Sequence, residues 1–374
     1  MMAFTSTRFR SLEEALPTLS VVGCRTQMSL VRNLASEVFP PQMKARDAQR
    51  LGRELAAFFC SHYKAQDLTA DPNFGKIVGP QFGLSMEADR GPAYRLVCVE
   101  DFKGCEIWIE LMSANHFTFS MSGIFWDFEA KMAVLQSFVD EVGKKLAFAY
   151  DAKLGYLTTQ MTLIGTGLRI RTWMHLNALY RYNYLEALSH AMEAFGVFVE
   201  MDEEDTLPDG HLFILFNRSA IHATTVEIVA AFEQALALAA YHEMTCRQRL
   251  YRERPFELYD SLEAARAQLS SRVLLSEHNA FQALSNLQVA VSLKIFKSEP
   301  IVKDFQENPW FWICHDTLFF LAAKPETFHA MWRGLPPSIR EHRELSVSAC
   351  RAIWFRKYAT MTYTKNFLKK VQSV

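Results

Sequence analysis

The feature that most constrains the fold of this 374-residue chain is the stretch Phe148 to Leu176, FAYDAKLGYLTTQMTLIGTGLRIRTWMHL. Gly165-Thr166-Gly167 calls for a tight turn, and the alternating Leu168-Arg169-Ile170-Arg171 behind it reads as a strand. Strand side chains alternate, so Arg169 and Arg171 share one face. Two uses of the element are open. Glycines let a backbone approach closely and arginine offers a planar fork, which together suit an anion. A plain turn entering a sheet needs the same glycines.

The surrounding pattern mixes both periodicities. Residues 43 to 66 place Leu51, Leu55, Phe58 and Phe59 on one helical face. Glu106–Leu111 and His116–Met121 alternate apolar with polar residues, and Ser113-Ala114-Asn115 between them predicts a hairpin. Phe128–Phe148 predicts an amphipathic helix through Leu135, Phe138, Val139, Val142 and Leu146. Ala194–Met201 and His211–Asn217 read as two more strands, joined by the acidic loop Asp202–Asp205. Thr224-x-x-Glu227 has the form of a capping box opening a helix along Val229, Phe232 and Leu236. Before these, Ser11–Pro17 suggests a short helix, Val21–Pro40 a strand leading into a surface loop, and Pro72–Gly91 a loop. From about Pro255 the pattern is helical throughout, with Trp310–Ala323 reading as a buried helix. The expected class is α+β: an antiparallel sheet flanked by helices over residues 1–254, then an all-helical domain over residues 255–374.

Charge excludes some partners. The net charge of −1 and the interspersed signs argue against nucleic acid. Seven cysteines (24, 60, 98, 105, 246, 314 and 350) form no Cys-x-x-Cys pair, so reduced thiols are expected, with no zinc site and no disulfide framework. Arg8 and Arg10 are followed by SLEEALPTLS, not an apolar run, and no stretch is long enough to span a bilayer. A cytoplasmic location is expected.

The central stretch also resembles the signature of the phosphagen (guanido) kinase family, GYLT-x-CPTN-x-GTG-x-R-A-S. Gly155-Tyr156-Leu157-Thr158, Thr162, the Gly-Thr-Gly turn and Arg169 match it, while the family's Cys, Pro and Asn fall on Gln160, Met161 and Leu163. Val21–Pro40 resembles the family's SSRIRLARNL…FP motif. Aligned on Arg32-Asn33-Leu34, two phosphate-gripping arginines fall on Gln27 and Ser29; Arg25 replaces one only with a local insertion. At the family's NEEDHLR turn the catalytic Glu falls on Ala114 and a phosphate Arg on Thr118, while His116 stays. Counting back from Asn217, the RG-x-x-GE motif puts a last phosphate Arg on Val199 and a guanidine-binding Glu on Glu204. The helical region resembles the C-terminal domain of the bacterial protein arginine kinases (McsB type). Their phosphoarginine-reading RDxxRA motif corresponds to Val347–Ala352, retaining Arg351.

Such kinases hold MgATP with arginines and orient a guanidinium with carboxylates, because phosphoryl transfer is mostly positioning and electrostatics. Each charged hydrogen bond contributes roughly 1.5–3 kcal/mol, so replacing the arginines at Gln27, Ser29, Thr118 and Val199 removes on the order of 6–12 kcal/mol. Only Arg169 remains as a phosphate contact. The resemblance therefore implies a pseudokinase without ATP, acting as scaffold or regulator. Implied partners are an active arginine kinase, its zinc-binding activator, or protease machinery, and a homodimer is implied as well. Two alternatives stay open. One is a divergent phosphotransferase that uses MgATP through Arg25, Arg169, Arg171, His116 and Glu204. The other is a module that binds phosphoarginine or acidic peptides through Arg351 and Arg356.

Overall fold

The structure, a computed structural model, describes residues 19–70, 92–123, 126–200, 209–221, 223–307 and 330–372. The expectations for Ser11–Pro17, Pro72–Gly91, Asp202–Asp205 with Glu204, and Trp310–Ala323 lie outside the described residues.

In chain order the sheet-bearing part runs β1 (Gly23–Arg32), α1 (Ala45–His62), β2 (Ala65–Asp67), β3 (Arg95–Phe102), β4 (Cys105–Leu111), β5 (Phe117–Gly123) and α2 (Phe128–Gly143). It continues through β6 (Tyr150–Asp151), β7 (Gly155–Tyr156), β8 (Leu168–His175), α3 (Asn177–Arg181), α4 (Leu185–Glu193), β9 (Val197–Glu200), β10 (Leu212–Asn217) and α5 (Thr225–Glu253). Helices α6 (Pro255–Ser271), α7 (Glu277–Ser292), α8 (Pro300–Glu307), α9 (Arg343–Phe355) and α10 (Lys365–Gln372) follow.

Eight strands form one sheet in the order β2-β3-β4-β5-β1-β8-β10-β9, and β6 pairs with β7 apart from it. Every pairing is antiparallel. The chain is therefore α+β, with an antiparallel sheet flanked by helices and a helical C-terminal region. The Ser113–Asn115 hairpin joins β4 to β5 as its composition predicts. The segment after Val21 folds as its pattern predicts. It is a strand that leads into a surface loop, with Ala35, Ser36 and Val38 exposed, and β1 itself is central, between β5 and β8, and largely buried.

Strand alternation sorts the sheet into two faces. Met28, Leu30, Phe117, Phe119, Leu168 and Ile170 face a core built with Leu55 and Phe59 of α1, Leu135 and Phe138 of α2, and Phe232 and Leu236 of α5. Helix α2 ends at Gly143, short of the predicted Phe148, because residues 147–149 turn to pair with the chain after β1: Ala35 N–H bonds to Ala147 O at 3.0 Å and Ala149 N–H to Asn33 O at 2.8 Å. Helix α5 opens on the predicted capping box, Thr224 Oγ1 accepting from Glu227 N–H at 3.2 Å and Glu227 Oε2 accepting from Thr224 N–H at 2.8 Å.

A second apolar cluster joins α6, α7, α8, α9 and α10 through residues such as Leu262, Phe281, Leu284, Phe305, Phe355 and Phe367, and takes in Leu212 of β10. Cys24 and Trp173 pack against it. Between the two clusters lies a buried polar junction. Arg247 of α5 donates to Glu243 Oε1 at 2.6 Å and to His175 Nδ1 at 2.7 Å. The Glu243 carboxylate accepts two N–H groups from the first turn of α3, from Ala178 at 3.1 Å and Leu179 at 2.9 Å. Ser285 Oγ of α7 meets His175 Nε2 at 2.7 Å, Asn177 Nδ2 at 2.9 Å and His211 Nδ1 at 2.9 Å. Arginine cannot accept, so His175 carries its proton on Nε2 and the junction holds both imidazoles neutral. Burial, before the nearby arginines, lowers the pKa of His175, and likewise lowers His211 to about 4.

Candidate functional site

The face opposite the first core brings together most of the residues singled out by sequence. Register places Gln27 beside both Ser122 and Arg171, Ser29 beside both Ser120 and Arg169, and Thr118 beside Glu110. Gln27, Ser29, Thr118, Arg169 and Arg171 thus share one patch across β5, β1 and β8. Ser29 Oγ and Ser120 Oγ hydrogen-bond at 2.8 Å, so this position carries a hydroxyl pair.

Arg169 does not stand free. Its Nη2 donates to Gln160 Oε1 at 2.7 Å. Burial lowers its pKa to about 10, Arg171 adds to that shift, and the Glu110 and Glu200 carboxylates oppose it. The patch is therefore mixed in sign: two guanidiniums, two carboxylates nearby, and neutral side chains between. Arg25 is on the same face of β1 but almost wholly buried, donating Nε to Ser122 Oγ at 2.6 Å and lying 5.4 Å from the centroid of Trp173.

Other candidates sit elsewhere. Val199 is core-facing, 8% exposed and opposite Leu215. The gap-free count therefore puts a phosphate contact on the wrong face of β9, because a one-residue step along a strand reverses the side chain. The outward residues of β9 are Phe198 and Glu200, neither of them a cation. His116 is wholly buried; its Nδ1 lies 2.9 Å from Asn33 Oδ1 and 3.3 Å from Leu34 N. Burial pushes its pKa down to about 4, which leaves it neutral. Ala114 is exposed at the β4–β5 turn. Arg351 is buried in α9 and donates to Leu275 O at 3.0 Å, while Arg356 donates to Arg272 O at 3.2 Å. Both guanidiniums fasten α9 and its end to the α6–α7 connection. Of the five groups of a rebuilt phosphotransfer site, Arg169 and Arg171 are neighbours, Arg25 on the same face is held by Ser122, His116 is buried, and Glu204 is outside the described residues.

The Gly-Thr-Gly turn resolves toward its plainer use. Gly165 and Gly167 have φ of +111° and +67°. A Cβ on Gly165 would fall 2.4 Å from Ala220 O, and one on Gly167 2.5 Å from Val31 O. The Gly165 N–H bonds to Tyr156 O at 3.2 Å and the Thr166 N–H to Ala220 O at 3.3 Å, so neither is turned toward an anion. Arg32 caps the turn, donating to Val31 O at 2.8 Å and Thr166 O at 2.9 Å, with its guanidinium 3.5 Å from the centroid of Tyr156.

Asn33 is the joint of the site. Its Nδ2 donates to Asn115 Oδ1 at 2.7 Å and Leu157 O at 3.1 Å, and its Oδ1 accepts from His116 N–H at 2.9 Å. Asn115 Oδ1 also accepts from Thr159 N–H at 2.9 Å. Asn217 works the same way on β8, accepting from Ile170 N–H at 2.7 Å and donating to Leu168 O at 3.0 Å. The signature residues that this chain keeps are those that fasten its loops together. Asn33, Asn115 and Arg32 were not singled out as site residues by sequence, because no spacing signal distinguishes a buried amide joint from a loop asparagine.

Among the described residues, no group of three or more His, Cys, Asp or Glu side chains is placed to hold a metal ion, and no helix is long and apolar enough to cross a membrane.

Comparison with known proteins agrees with this architecture. Residues 81–244 match the family model of the ATP:guanido phosphotransferase C-terminal catalytic domain. A protein-arginine kinase of Symbiobacterium thermophilum is 25% identical over 282 residues, covering 72% of this chain and 79% of that protein. One from Moorella thermoacetica is 30% identical over 159 residues, covering 42% of this chain and 45% of its own length. Against relatives of the latter kind the match spans about half of the protein. The substrate-free duplicated taurocyamine kinase of Schistosoma mansoni superposes with a TM-score of 0.51 at 16% identity, covering 75% of this chain and 41% of that one. The fold is that of a guanido-kinase catalytic domain. Residues 81–244 are similar to the catalytic domain of the phosphagen (guanido) kinases, and the chain is similar to bacterial protein-arginine kinases.

Proposed function

We propose that this chain is a catalytically degenerate member of the family, a pseudokinase that acts through protein contacts rather than by phosphorylating arginine. The observation that carries the reading is the Arg169–Gln160 hydrogen bond at 2.7 Å on a face where Gln27, Ser29 and Thr118 are neutral. A triphosphate needs several converging cations. This face offers Arg169, already engaged by Gln160, Arg171, and the buried Arg25, which is held by Ser122 and Trp173, with Glu110 and Glu200 close enough to act on Arg169. These residues do not fit an ATP clamp, and Ala114 supplies no carboxylate to orient a guanidinium. The intact frame around Asn33 and Asn217 supports a role that needs the shape of a guanido kinase without its chemistry. An active arginine kinase, a zinc-binding activator or the protease machinery are the partner classes this reading favours, with a cytoplasmic homodimer as the working form.

The test is calorimetric titration of the full chain with MgATP, followed by a phosphoarginine assay on an unfolded protein substrate. The expected result is neither binding heat nor product. Micromolar binding with product would overturn the reading in favour of a rebuilt active site.

A further inference from the structure

A cavity of about 440 Å³ opens between the C-terminal end of α2 and the β6–β7 hairpin. Its lining includes Phe148, Tyr150, Tyr156, Asp140, Gly143 and Lys144. We propose that this cavity binds the cationic side chain of an arginine or lysine on a partner or substrate peptide.

Three observations carry the proposal. The first is the aromatic wall. Tyr150 and Tyr156 meet edge to face with centroids 5.2 Å apart, and Phe148 meets Tyr156 in the same manner at 6.4 Å. Tyr150 is 62% exposed, so its ring is open to a ligand from solvent. Aromatic faces attract organic cations through their quadrupole. The second is a precedent inside the protein: Tyr156 already carries the guanidinium of Arg32, 3.5 Å from its ring centroid. The third is charge. Asp140 is exposed at the rim, and Gln136 Nε2 bonds its Oδ1 at 2.7 Å, which orients the carboxylate. An aromatic wall with a carboxylate beside it suits a cation on an alkyl stem, because the stem packs on the rings while the charge reaches the carboxylate. Gly143 helps shape the floor, since a Cβ there would sit 3.2 Å from the Phe148 ring. Lys144 is the one opposing charge in the lining, and it stands exposed at the rim. That makes it a diagnostic of the ligand's sign.

The site needs no nucleotide and no phosphotransfer, so it stands whether or not the chain is a pseudokinase. The experiment is calorimetric titration of the full chain with N-acetyl-arginine methylamide and with its neutral isostere, N-acetyl-citrulline methylamide. Saturable binding of the arginine compound is expected, with the citrulline compound weaker by about five-fold or more. Tyr150→Ala should weaken the arginine compound about three- to ten-fold and Asp140→Asn about two- to five-fold, whereas Lys144→Met should strengthen it. All three positions are exposed, and unchanged melting temperatures establish that the variants fold. Equal affinity for the two compounds, no saturable binding, indifference to Tyr150→Ala, or weaker binding in Lys144→Met would each overturn the proposal.

Discussion

Gln160 Oε1 accepts a 2.7 Å hydrogen bond from Nη2 of Arg169, joining the residue that aligns with the signature's cysteine to the arginine that aligns with the signature's own. The two side chains therefore act on each other. Gln160→Ala should release Arg169 and raise affinity for inorganic phosphate about three- to ten-fold, the scale of one partly solvated charged hydrogen bond. Arginine phosphorylation should stay absent, because the neighbouring side chains remain neutral. Phosphate titration beside a phosphoarginine assay checks both halves; product formation from this single substitution would refute the account.

Asn33 holds three segments through one buried amide. Asn33→Ala would leave Asn115 Oδ1, Leu157 O and the His116 N–H short of partners. Each unsatisfied buried group costs about 1–3 kcal/mol, and Thr159 still serves Asn115, so a loss of about 3 kcal/mol is expected from chemical denaturation. A loss below about 1 kcal/mol would mean that these loops are held by packing instead.

Acid sensitivity follows from the buried imidazoles. His116 and His211 fall from 6.5 to about 4 on folding, and His175 is lowered too, in each case chiefly because burial disfavours the charged form. Above the unfolded pKa both states are neutral and these groups contribute no pH dependence. Below it the unfolded chain binds protons that the folded chain refuses, so stability falls as pH drops from 6.5 toward about 4. Each histidine contributes a slope of up to about 1.4 kcal/mol per pH unit. Denaturation at intervals across the upper part of this window, where carboxylates change little, should show a slope above that of a single proton. A flat profile there would contradict the neutral assignments.

Arg247 and Glu243 form a fully buried pair within α5, and Glu243 also holds the start of α3. Removing one partner strands the other charge, so Arg247→Met should cost about 3–5 kcal/mol. Adding Glu243→Gln removes the stranded charge while keeping an acceptor for α3, and should recover part of that loss. A double variant no more stable than the single one would show that the pair's value lies in its bonds to His175 and not in charge balance.

Much of the architecture was legible in periodicity. The hairpin around Ser113–Asn115, the helix behind Thr224 and the strand behind Gly167 all came from local pattern, since period and turn chemistry are short-range properties. Strand β3 was not found, because Leu96–Val99 is buried as a continuous run and offers no alternation to read. Helix α2 ran too long in the sequence because Leu146 and Phe148 keep a helical spacing, while the pairing of Ala147 and Ala149 with the chain after β1 ends it. Glu243 and Arg247 stand at i,i+4, a spacing that in sequence reads as a solvated surface pair, and only their burial makes them a junction.

The sequence by itself determined the element types, the neutral residues that stand where the family carries phosphate arginines, and the turn that demands glycine. These depend on residue identity and near neighbours. Tertiary structure decided which of those residues meet. It set Gln27, Ser29, Thr118 and Arg169 on one face, turned Val199 to the other, buried His116, and brought Gln160 onto Arg169. Those outcomes depend on strand register and on contacts between segments far apart in the chain, and a one-residue change of register reverses every side chain it touches.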